Sequence, residues 1–334
     1  MNKIDFIITY LDGNDIEWQK EKNKYTPGEV ADINPNRYRN WDNLHYLFRG
    51  IEKFAPWVNK VHFVTCGHVP EWLNINHPKL NIVRHDQYIP KEWLPTFSSR
   101  CIDMNFHRIP ELAEHFVYFN DDMFLTQSVT PEVFFHKGLP CDSPTMRAAQ
   151  YIKVSGMPLH LAPIVDASVI NQHFRMRKVV KAKPFNWLNP KYGKFNIATL
   201  LSLGYVNFVG FRSLHLPYSY LKSTYEEVWE KEQELCTKAS EHRFREVTDV
   251  NHWIFTYWQY ALNKFYPRSL KEGFCFQLHT KEDARKAADA IYAKKYKLIC
   301  LNDVVENNGD FIDIKECVNT ALEKILMEKS EFEL

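Results

Sequence analysis

A chain of 334 residues exceeds the usual size of one domain, yet it is within reach of a single large α/β domain with a helical elaboration. Lys and Arg total 42 against 41 Asp and Glu, so no global field favours nucleic acid, and we expect no nucleic-acid partner. Hydrophobic residues make up 45% and aromatic residues 15%, which is enough for a sizeable core and argues against disorder.

Cysteine usage and hydropathy bear on the compartment. The seven cysteines are odd in number and scattered, without a CxxC pair or a zinc-like spacing, so we expect buried thiols in a reducing compartment. Charge interrupts the N-terminal apolar run too early for a signal peptide, and no apolar run approaches the ~18 residues that span a bilayer. We therefore expect a cytoplasmic protein. Peripheral association with the inner face of the membrane, through a partner or a lipid-linked acceptor, stays open.

Strand and helix signals alternate over the first ~125 residues. Apolar runs at 4–10, 58–65, 80–84 and 115–119 predict strands, and the patterns at 42–54 and 98–108 predict helices. The first of these helices is expected to begin at Asn40 or Asp42 as its N-cap. The alternation predicts an α/β fold with a Rossmann-like, mostly parallel sheet, in which ligands gather outside the carboxyl ends of the strands.

The pattern of predicted secondary structure changes near Pro140. Helical patterns dominate at 166–180, 195–203, 224–242 and 251–262, with few strand signals between them. Further on, we expect a polar helix, a strand that ends at Asn302-Asp303 and a last helix. The whole predicts one domain with an α/β part at 1–135, a mainly helical part at 140–280 inserted before the last strand, and a returning strand and C-terminal helix at 281–334.

The end of the predicted strand at 115–119 carries Asn120-Asp121-Asp122. Two adjacent carboxylates repel each other, whereas a bound divalent cation reverses the repulsion and bridges to phosphate oxygens. We therefore expect Asp121 and Asp122 to hold Mg²⁺ or Mn²⁺ with a nucleotide diphosphate. The alternative is a plain turn, because Asn and Asp are also turn formers.

Basic residues could meet the phosphates. Arg37, Arg39, His45 and Arg49 lie in and ahead of the predicted helix at 42–54. Guanidinium groups and a helix N-terminus suit pyrophosphate oxygens. Each of these side chains could equally be solvated at the surface, so the cluster carries more weight than any one member.

Two later positions are candidates for catalysis. His215 stands two residues before Pro217, in a loop between helical segments, where an imidazole could accept the proton of an attacking hydroxyl. Arg243 and Arg245 could stabilise the charge of a phosphoryl transition state. The alternatives are a structural histidine and an ordinary charged helix end.

Several blocks of the chain resemble a known family. They are IDFIITYLDGND, RYRNWDNLHYLFRGIEKFAPWVNKVHFVTCGHVPEWLN, LPTFSSRCIDMNFHRIPELAEHFVYFNDDMFL, HLPYSYL followed by HRFREVTDVNHW, and KYKLICLND. In this order they are similar to the four conserved regions of the Stealth family, over residues 4 to about 303. The resemblance implies a sugar-1-phosphate transferase of capsular or other cell-surface polysaccharides, whose α/β part binds the nucleotide.

The resemblance also implies roles for matching residues. Asp12 in the turn after the first strand would help to hold the nucleotide sugar, and Asp121 and Asp122 would serve the metal and the diphosphate. His215 matches the family histidine proposed as base, and Arg245 matches the family arginine near the phosphate. As further substrate-binding residues we expect Arg37, Asn43, Arg49 and Asn120.

The expected reaction starts from a UDP-sugar. A hydroxyl of an acceptor glycan, deprotonated by His215, would attack the phosphorus bonded to the sugar and release UMP. Two rival hypotheses remain. One is a metal-dependent glycosyltransferase that releases UDP, for which the strand-end Asp pair serves equally well. The other is a non-catalytic carbohydrate-binding protein, consistent with the nine tryptophans and many tyrosines.

Overall fold

The computed structural model describes residues 2–26, 39–149, 161–306 and 308–334. Its largest sheet has five strands in the order β3-β2-β1-β4-β8. Their bounds are β1 (Ile4–Thr9), β2 (Val61–Thr65), β3 (Leu80–Arg84), β4 (His115–Phe119) and β8 (Tyr218–Leu221). β1 to β4 run parallel, which confirms the predicted mostly parallel α/β sheet. Both faces of β1, β2 and β4 are buried, as near-continuous apolar sequences require.

One strand of this sheet is antiparallel. β8 pairs with β4 in a register that sets Tyr218 opposite Tyr118 and Leu221 opposite His115. The amino end of β8 therefore lies at the carboxyl end of β4, so the loop before β8 reaches the edge where ligands of parallel sheets bind. Sequence analysis missed β8, because its four residues are too few to show an alternating pattern.

Two smaller sheets accompany the large one. The first has the order β10-β11-β5 and contains β5 (Met123–Leu125), β10 (Gly273–Leu278) and β11 (Leu298–Asp303). The second has the order β6-β7-β9 and contains β6 (Phe135–His136), β7 (Leu139–Asp142) and β9 (Tyr266–Pro267). The strand expected before Asn302-Asp303 exists as β11, but it does not return to the large sheet. It pairs antiparallel with β5, which directly follows the Asp pair.

The described ranges also contain twelve α-helices. The α/β part contains α1 (Ile16–Tyr25), α2 (Leu44–Phe54) and α3 (Ser99–Met104). The predicted helical part contains α4 (Ala162–His173), α5 (Met176–Ala182), α6 (Pro184–Trp187), α7 (Phe195–Ser202), α8 (Lys222–Lys231), α9 (Gln233–Glu241) and α10 (Trp253–Ala261). The chain ends with α11 (Lys281–Tyr292) and α12 (Asn308–Ile325). Within the described ranges, no helix combines the length and apolar character that crossing a membrane requires.

α2 lies against β5, next to the candidate site. A Cβ on Gly50 would stand 3.1 Å from the carbonyl oxygen of Leu125, so glycine permits the close approach. The predicted N-cap was wrong, because Asn43 occupies the cap position and the side chain of Asn40 instead accepts a hydrogen bond of 2.8 Å from the Asp42 N–H. The Asn40 side chain therefore forms a tight turn within the loop before α2.

The C-terminal segment is held to α2 by a buried ion pair. Arg49 donates from Nε and Nη2 to the two carboxylate oxygens of Glu333, at 2.8 and 2.9 Å. The side chains are 9% and 4% exposed. Burial would raise the pKa of Glu333, but the bonds from Arg49 and from the Ser330 backbone hold it below its ordinary value. This bidentate ion pair anchors the C-terminal segment to the core.

Replacing Glu333 by Gln is expected to lower the free energy of unfolding at pH 7 by about 3 kcal/mol, because Arg49 loses its buried counter-charge. A carboxylate with a lowered pKa stabilises the fold above its unfolded pKa, and that contribution disappears as the pH falls through the folded pKa. The difference between the two proteins should therefore narrow below about pH 4 in urea unfolding curves. Glu331→Gln is the control, since that side chain is 85% exposed. Equal effects of the two substitutions would contradict the assignment.

Candidate active site

The carboxyl ends of β1 and β4 bring two predicted acidic positions together. Asp12 follows β1, where its backbone N–H donates to Nε2 of His68 at 2.8 Å and its carboxylate accepts from the Asn14 N–H at 2.9 Å. Tyr10 is close enough to this turn and to the Asp pair to sense their charges. Burial, together with the negative charges of Asp12, Asp121 and Asp42, raises the pKa of Tyr10 to about 12. The site is thus an acidic edge of the sheet.

Asn120-Asp121-Asp122 forms a turn between β4 and β5. The Met123 N–H donates to the Asn120 carbonyl at 3.2 Å, and the Leu301 N–H donates to the Asp122 carbonyl at 2.9 Å. The backbone of these three residues therefore forms the turn that was the alternative interpretation of the sequence. The side chains of Asp121 and Asp122 nevertheless remain available for chemistry, because main-chain atoms make these two bonds.

Asp122 lies at the centre of a cluster from three segments. Its Oδ2 is 3.5 Å from Nε2 of His215 and accepts a hydrogen bond of 3.1 Å from the Cys300 thiol. The ligand atoms of the three residues all lie within 4.8 Å of one another. β8 positions His215 and β11 positions Cys300, which stands opposite Met123. Sequence analysis missed Cys300, because the pairing of β5 with β11 is long-range and the thiols read as scattered.

The pairing shifts the pKa values of both charged partners. Burial would raise the pKa of Asp122, but the hydrogen bond and charge of His215 bring it below its ordinary value. Burial would lower the pKa of His215, but the hydrogen bond and charge of Asp122 raise it to about 9. His215 is therefore protonated at pH 7 in the metal-free protein. A neutral base, as expected from the sequence, requires that the hold of Asp122 on the proton be relaxed, and the base role stays a prediction.

Asp121 behaves differently from its neighbour. Its side chain is exposed to solvent. Partial loss of hydration beside the neighbouring protein, followed by the charge of Asp122, raises the pKa of Asp121 to about 7. Neighbouring carboxyl groups whose pKa values are shifted in opposite directions are common in active sites.

The carboxylates fit a divalent cation. Oδ1 of Asp122 is buried and finds no hydrogen-bond partner in the described part of the chain. An orphaned carboxylate oxygen and a neighbour whose ionised form is disfavoured both gain from a positive ion. Carboxylate oxygens are ligands that Mg²⁺ and Mn²⁺ prefer. Asp121 and Asp122 are thus compatible with the predicted metal site.

Arg245 lies on the flank of the site, at the start of α3. Its Nη2 donates to Oγ of Ser99, the first residue of that helix. Burial, together with the charges of His215 and Arg245, lowers the pKa of His252 to about 3. His252 is thus near both predicted catalytic residues. Burial also raises the pKa of Asp103 to about 7, against the opposing effects of the bond from Tyr118 and the charge of Arg245. Arg245 supplies positive charge on this side.

The other predicted basic positions are not brought into this cluster. Arg49 is engaged with Glu333, as described above, so its guanidinium serves the chain end. Arg39 pairs with Asp303 at 3.3 Å. Asn43 is buried at the N-cap of α2, where its side chain makes no capping bond. Arg37 lies outside the described residues, and the substrate-binding roles of Arg37, Asn43 and Arg49 stay predictions.

A parallel α/β sheet with charged side chains gathered at its carboxyl ends is typical of proteins that bind phosphorylated ligands there. Comparison with known proteins narrows this class. Residues 37–141 match the model of Stealth protein CR2, conserved region 2. The chain is 39% identical to the capsular polysaccharide phosphotransferase WcwK of Streptococcus pneumoniae, over 100% of this chain and 99% of that protein.

A second relative is the receptor polysaccharide phosphotransferase WefC of Streptococcus oralis, at 39% identity over 100% of both chains. Among solved structures, the apo structure of the bifunctional glycosyltransferase WbbM matches 98% of this chain and 52% of its own at 11% identity, with a TM-score of 0.40. The chain belongs to the Stealth family. It is a transferase, as its full-length relatives are.

Replacing Asp122 by Asn is expected to return the pKa of His215 from about 9 toward or below the ordinary histidine value, because the carboxylate is the cause of the increase and burial then acts unopposed. Histidine NMR titration of the metal-free protein measures this. Asp121→Asn is the control, since the charge of Asp121 contributes least among the causes named for His215. An unchanged His215 titration in the Asp122→Asn protein would rule out the ion pair.

Proposed function

We propose that the protein transfers a sugar 1-phosphate from a UDP-sugar to a hydroxyl of an acceptor glycan, and that it releases UMP. The observation that carries the proposal is the pairing of His215 with Asp122 at the carboxyl edge of the sheet, in a member of a family whose named relatives are polysaccharide phosphotransferases. The product is a phosphodiester-linked cell-surface polysaccharide. The acceptor would be a growing glycan, carried on a lipid where it is made at the inner face of the membrane.

The residues divide the work by position. Asp12 and Asn120 flank the Asp pair on the strand-end edge, where the nucleotide and its sugar would bind. Arg245 and the N-terminus of α3 offer positive potential to the phosphates. When bound, Mg²⁺ or Mn²⁺ at Asp121 and Asp122 would neutralise charge on the diphosphate and polarise its oxygens.

His215 would act on the acceptor hydroxyl. Its imidazole accepts the hydroxyl proton while the oxygen forms a bond to the phosphorus that carries the sugar. The bond from that phosphorus to the bridging oxygen breaks, and UMP leaves with the bond's electron pair. Asp122 orients the imidazole and raises its basicity. Any positive charge brought to Asp122 lowers the His215 pKa again, which frees the ring for proton transfer near neutral pH.

A donor labelled with ³²P in its β-phosphate is expected to leave its label in the glycan, with UMP as the free nucleotide. The assay combines purified protein, Mg²⁺, a panel of UDP-sugars and the acceptor glycan, followed by separation of nucleotides and polymer. In glycosyl transfer the hydroxyl attacks the anomeric carbon, so the label would appear in free UDP instead. That outcome would replace the proposal by the glycosyltransferase hypothesis. Failure of every donor to label any product would favour the carbohydrate-binding hypothesis.

Arg245→Gln is expected to lower kcat by roughly two orders of magnitude or more, as loss of a charge that stabilises a phosphoryl transition state commonly does. Arg243→Gln is the matched control, because that side chain is exposed and stacks over Tyr25. Steady-state kinetics measures the effect on kcat. Thermal unfolding checks that each variant is as stable as the unaltered protein. Equal kcat values for the two variants would remove Arg245 from the site.

A further inference from the structure

α7 turns its apolar face toward solvent. Ile197, Leu200 and Leu201 are 63%, 59% and 72% exposed, and their spacing places them on one side of the helix. The opposite side buries Thr199 and Ser202, at 0% and 8%. Thr199 Oγ1 accepts the Met146 N–H at 3.1 Å. An ordinary surface helix has the reverse arrangement, with its apolar stripe toward the core.

Neighbouring segments extend this face. Phe185 on α6 is 82% exposed, and Tyr205 and Val206 just beyond α7 are 63% and 66% exposed. Asn189 ties α6 to α7, since its side chain donates to the Phe185 carbonyl at 2.9 Å and its own carbonyl accepts from Asn196 at 2.8 Å. We call the six exposed residues the apolar face: Phe185, Ile197, Leu200, Leu201, Tyr205 and Val206.

α5 places basic residues beside the apolar face. Arg177 donates to the carbonyls of Leu203 and Gly204 at 3.2 and 3.0 Å, so α5 lies against the end of α7. Lys178 and Lys181 are exposed on the same short helix, and Lys194 is exposed at the start of α7.

The charge pattern of this region departs from that of the whole chain. From Ala167 to Tyr225 there are nine Lys and Arg residues and no Asp or Glu, although the full chain has a net charge of +1. Among the described residues, no acidic side chain forms an ion pair with any basic residue between Arg175 and Lys194. The apolar face is thus bordered by positive charge that pairs with no acidic side chain of the described ranges.

We propose that the apolar face and its basic border dock the protein on an anionic lipid bilayer. Exposed aliphatic and aromatic side chains flanked by Lys and Arg are the composition of surfaces that lie in the headgroup region of membranes. The apolar side chains enter the acyl boundary, while Lys178, Lys181 and Lys194 meet the lipid phosphates. The inference concerns surface binding alone and does not depend on which nucleotide the enzyme releases.

Charge complementarity favours a bilayer over a second copy of the chain. In a symmetric dimer the same face would meet itself and bring the two basic borders together, with no acidic residues from this region to separate them. An anionic lipid surface instead offers the opposite charge along the whole border.

The chain leads from the apolar face to the loop that carries His215. The segment after α7 pairs with the chain beyond β7, where the Arg147 backbone N–H donates to the Gly210 carbonyl at 3.1 Å and the Arg212 backbone N–H donates to the Thr145 carbonyl at 2.9 Å. His215 follows three residues after Arg212. The loop that carries His215 is therefore continuous with the segment that supports the apolar face.

Vesicle flotation with the full chain tests the proposal. We expect binding to vesicles of phosphatidylcholine mixed with phosphatidylglycerol, much weaker binding to phosphatidylcholine alone, and release by salt. Leu200→Ser combined with Leu201→Ser should weaken binding about tenfold or more, since two exposed apolar side chains are lost from the interface. Lys181→Gln combined with Lys194→Gln should weaken binding to the anionic vesicles by roughly fivefold for each charge.

Matched controls lie elsewhere on the surface. Ile312→Ser removes an apolar side chain that is 69% exposed on α12, and Lys271→Gln with Lys295→Gln removes two exposed charges. Both controls should bind vesicles as the unaltered protein does, and circular dichroism checks that every variant is folded. Equal binding to neutral and anionic vesicles, or equal effects of controls and test variants, would overturn the proposal. So would a dimer in vesicle-free solution that the leucine variant dissociates, because the partner of the face would then be a second copy.

Discussion

The site depends on one electrostatic requirement, that the carboxylate of Asp122 at the end of a buried strand be met by hydrogen-bond donors and positive charge. Three segments satisfy it together. β5 continues directly from the Asp pair, β11 lays Cys300 against the carboxylate, and the loop before β8 sets His215 at 3.5 Å. The antiparallel pairing of β8 with β4 makes the last contact possible, because a fifth parallel strand would have begun at the opposite edge of the sheet. The contact between His215 and Asp122 thus depends on the antiparallel direction of β8.

Much of the fold was predictable because its parallel strands are local and apolar. The runs at β1, β2 and β4 are buried on both faces and bounded by turn formers, so their sequences carry a clear signal. The pairing of β11 with β5 joins residues far apart in the chain, and the sequence of neither strand predicts its partner. The same limit explains why the helix that carries Arg49 could be predicted, while the contact of Arg49 with Glu333 could not.

The predicted site residues divide along the same line. Asp12, Asp121 and Asp122 follow strands of one parallel sheet, so topology alone brings them together. The meeting of His215 with Asp122 depends on a short strand that periodicity does not reveal, and it was accessible only through family resemblance. The altered proton affinity of His215 lies beyond both sources. It follows from the short distance to Asp122, whose effect on the pKa of His215 outweighs the opposing effect of burial, and only coordinates supply that distance.

His215 has a backbone φ of +47°, in the left-handed region that most L-residues avoid. Histidine is among the residues that enter this region more often than others, but the conformation still stores local strain unless tertiary contacts select it. The contact with Asp122 favours it here. This one contact therefore links two properties of the site: the raised pKa of the imidazole and the left-handed backbone of the loop that carries it.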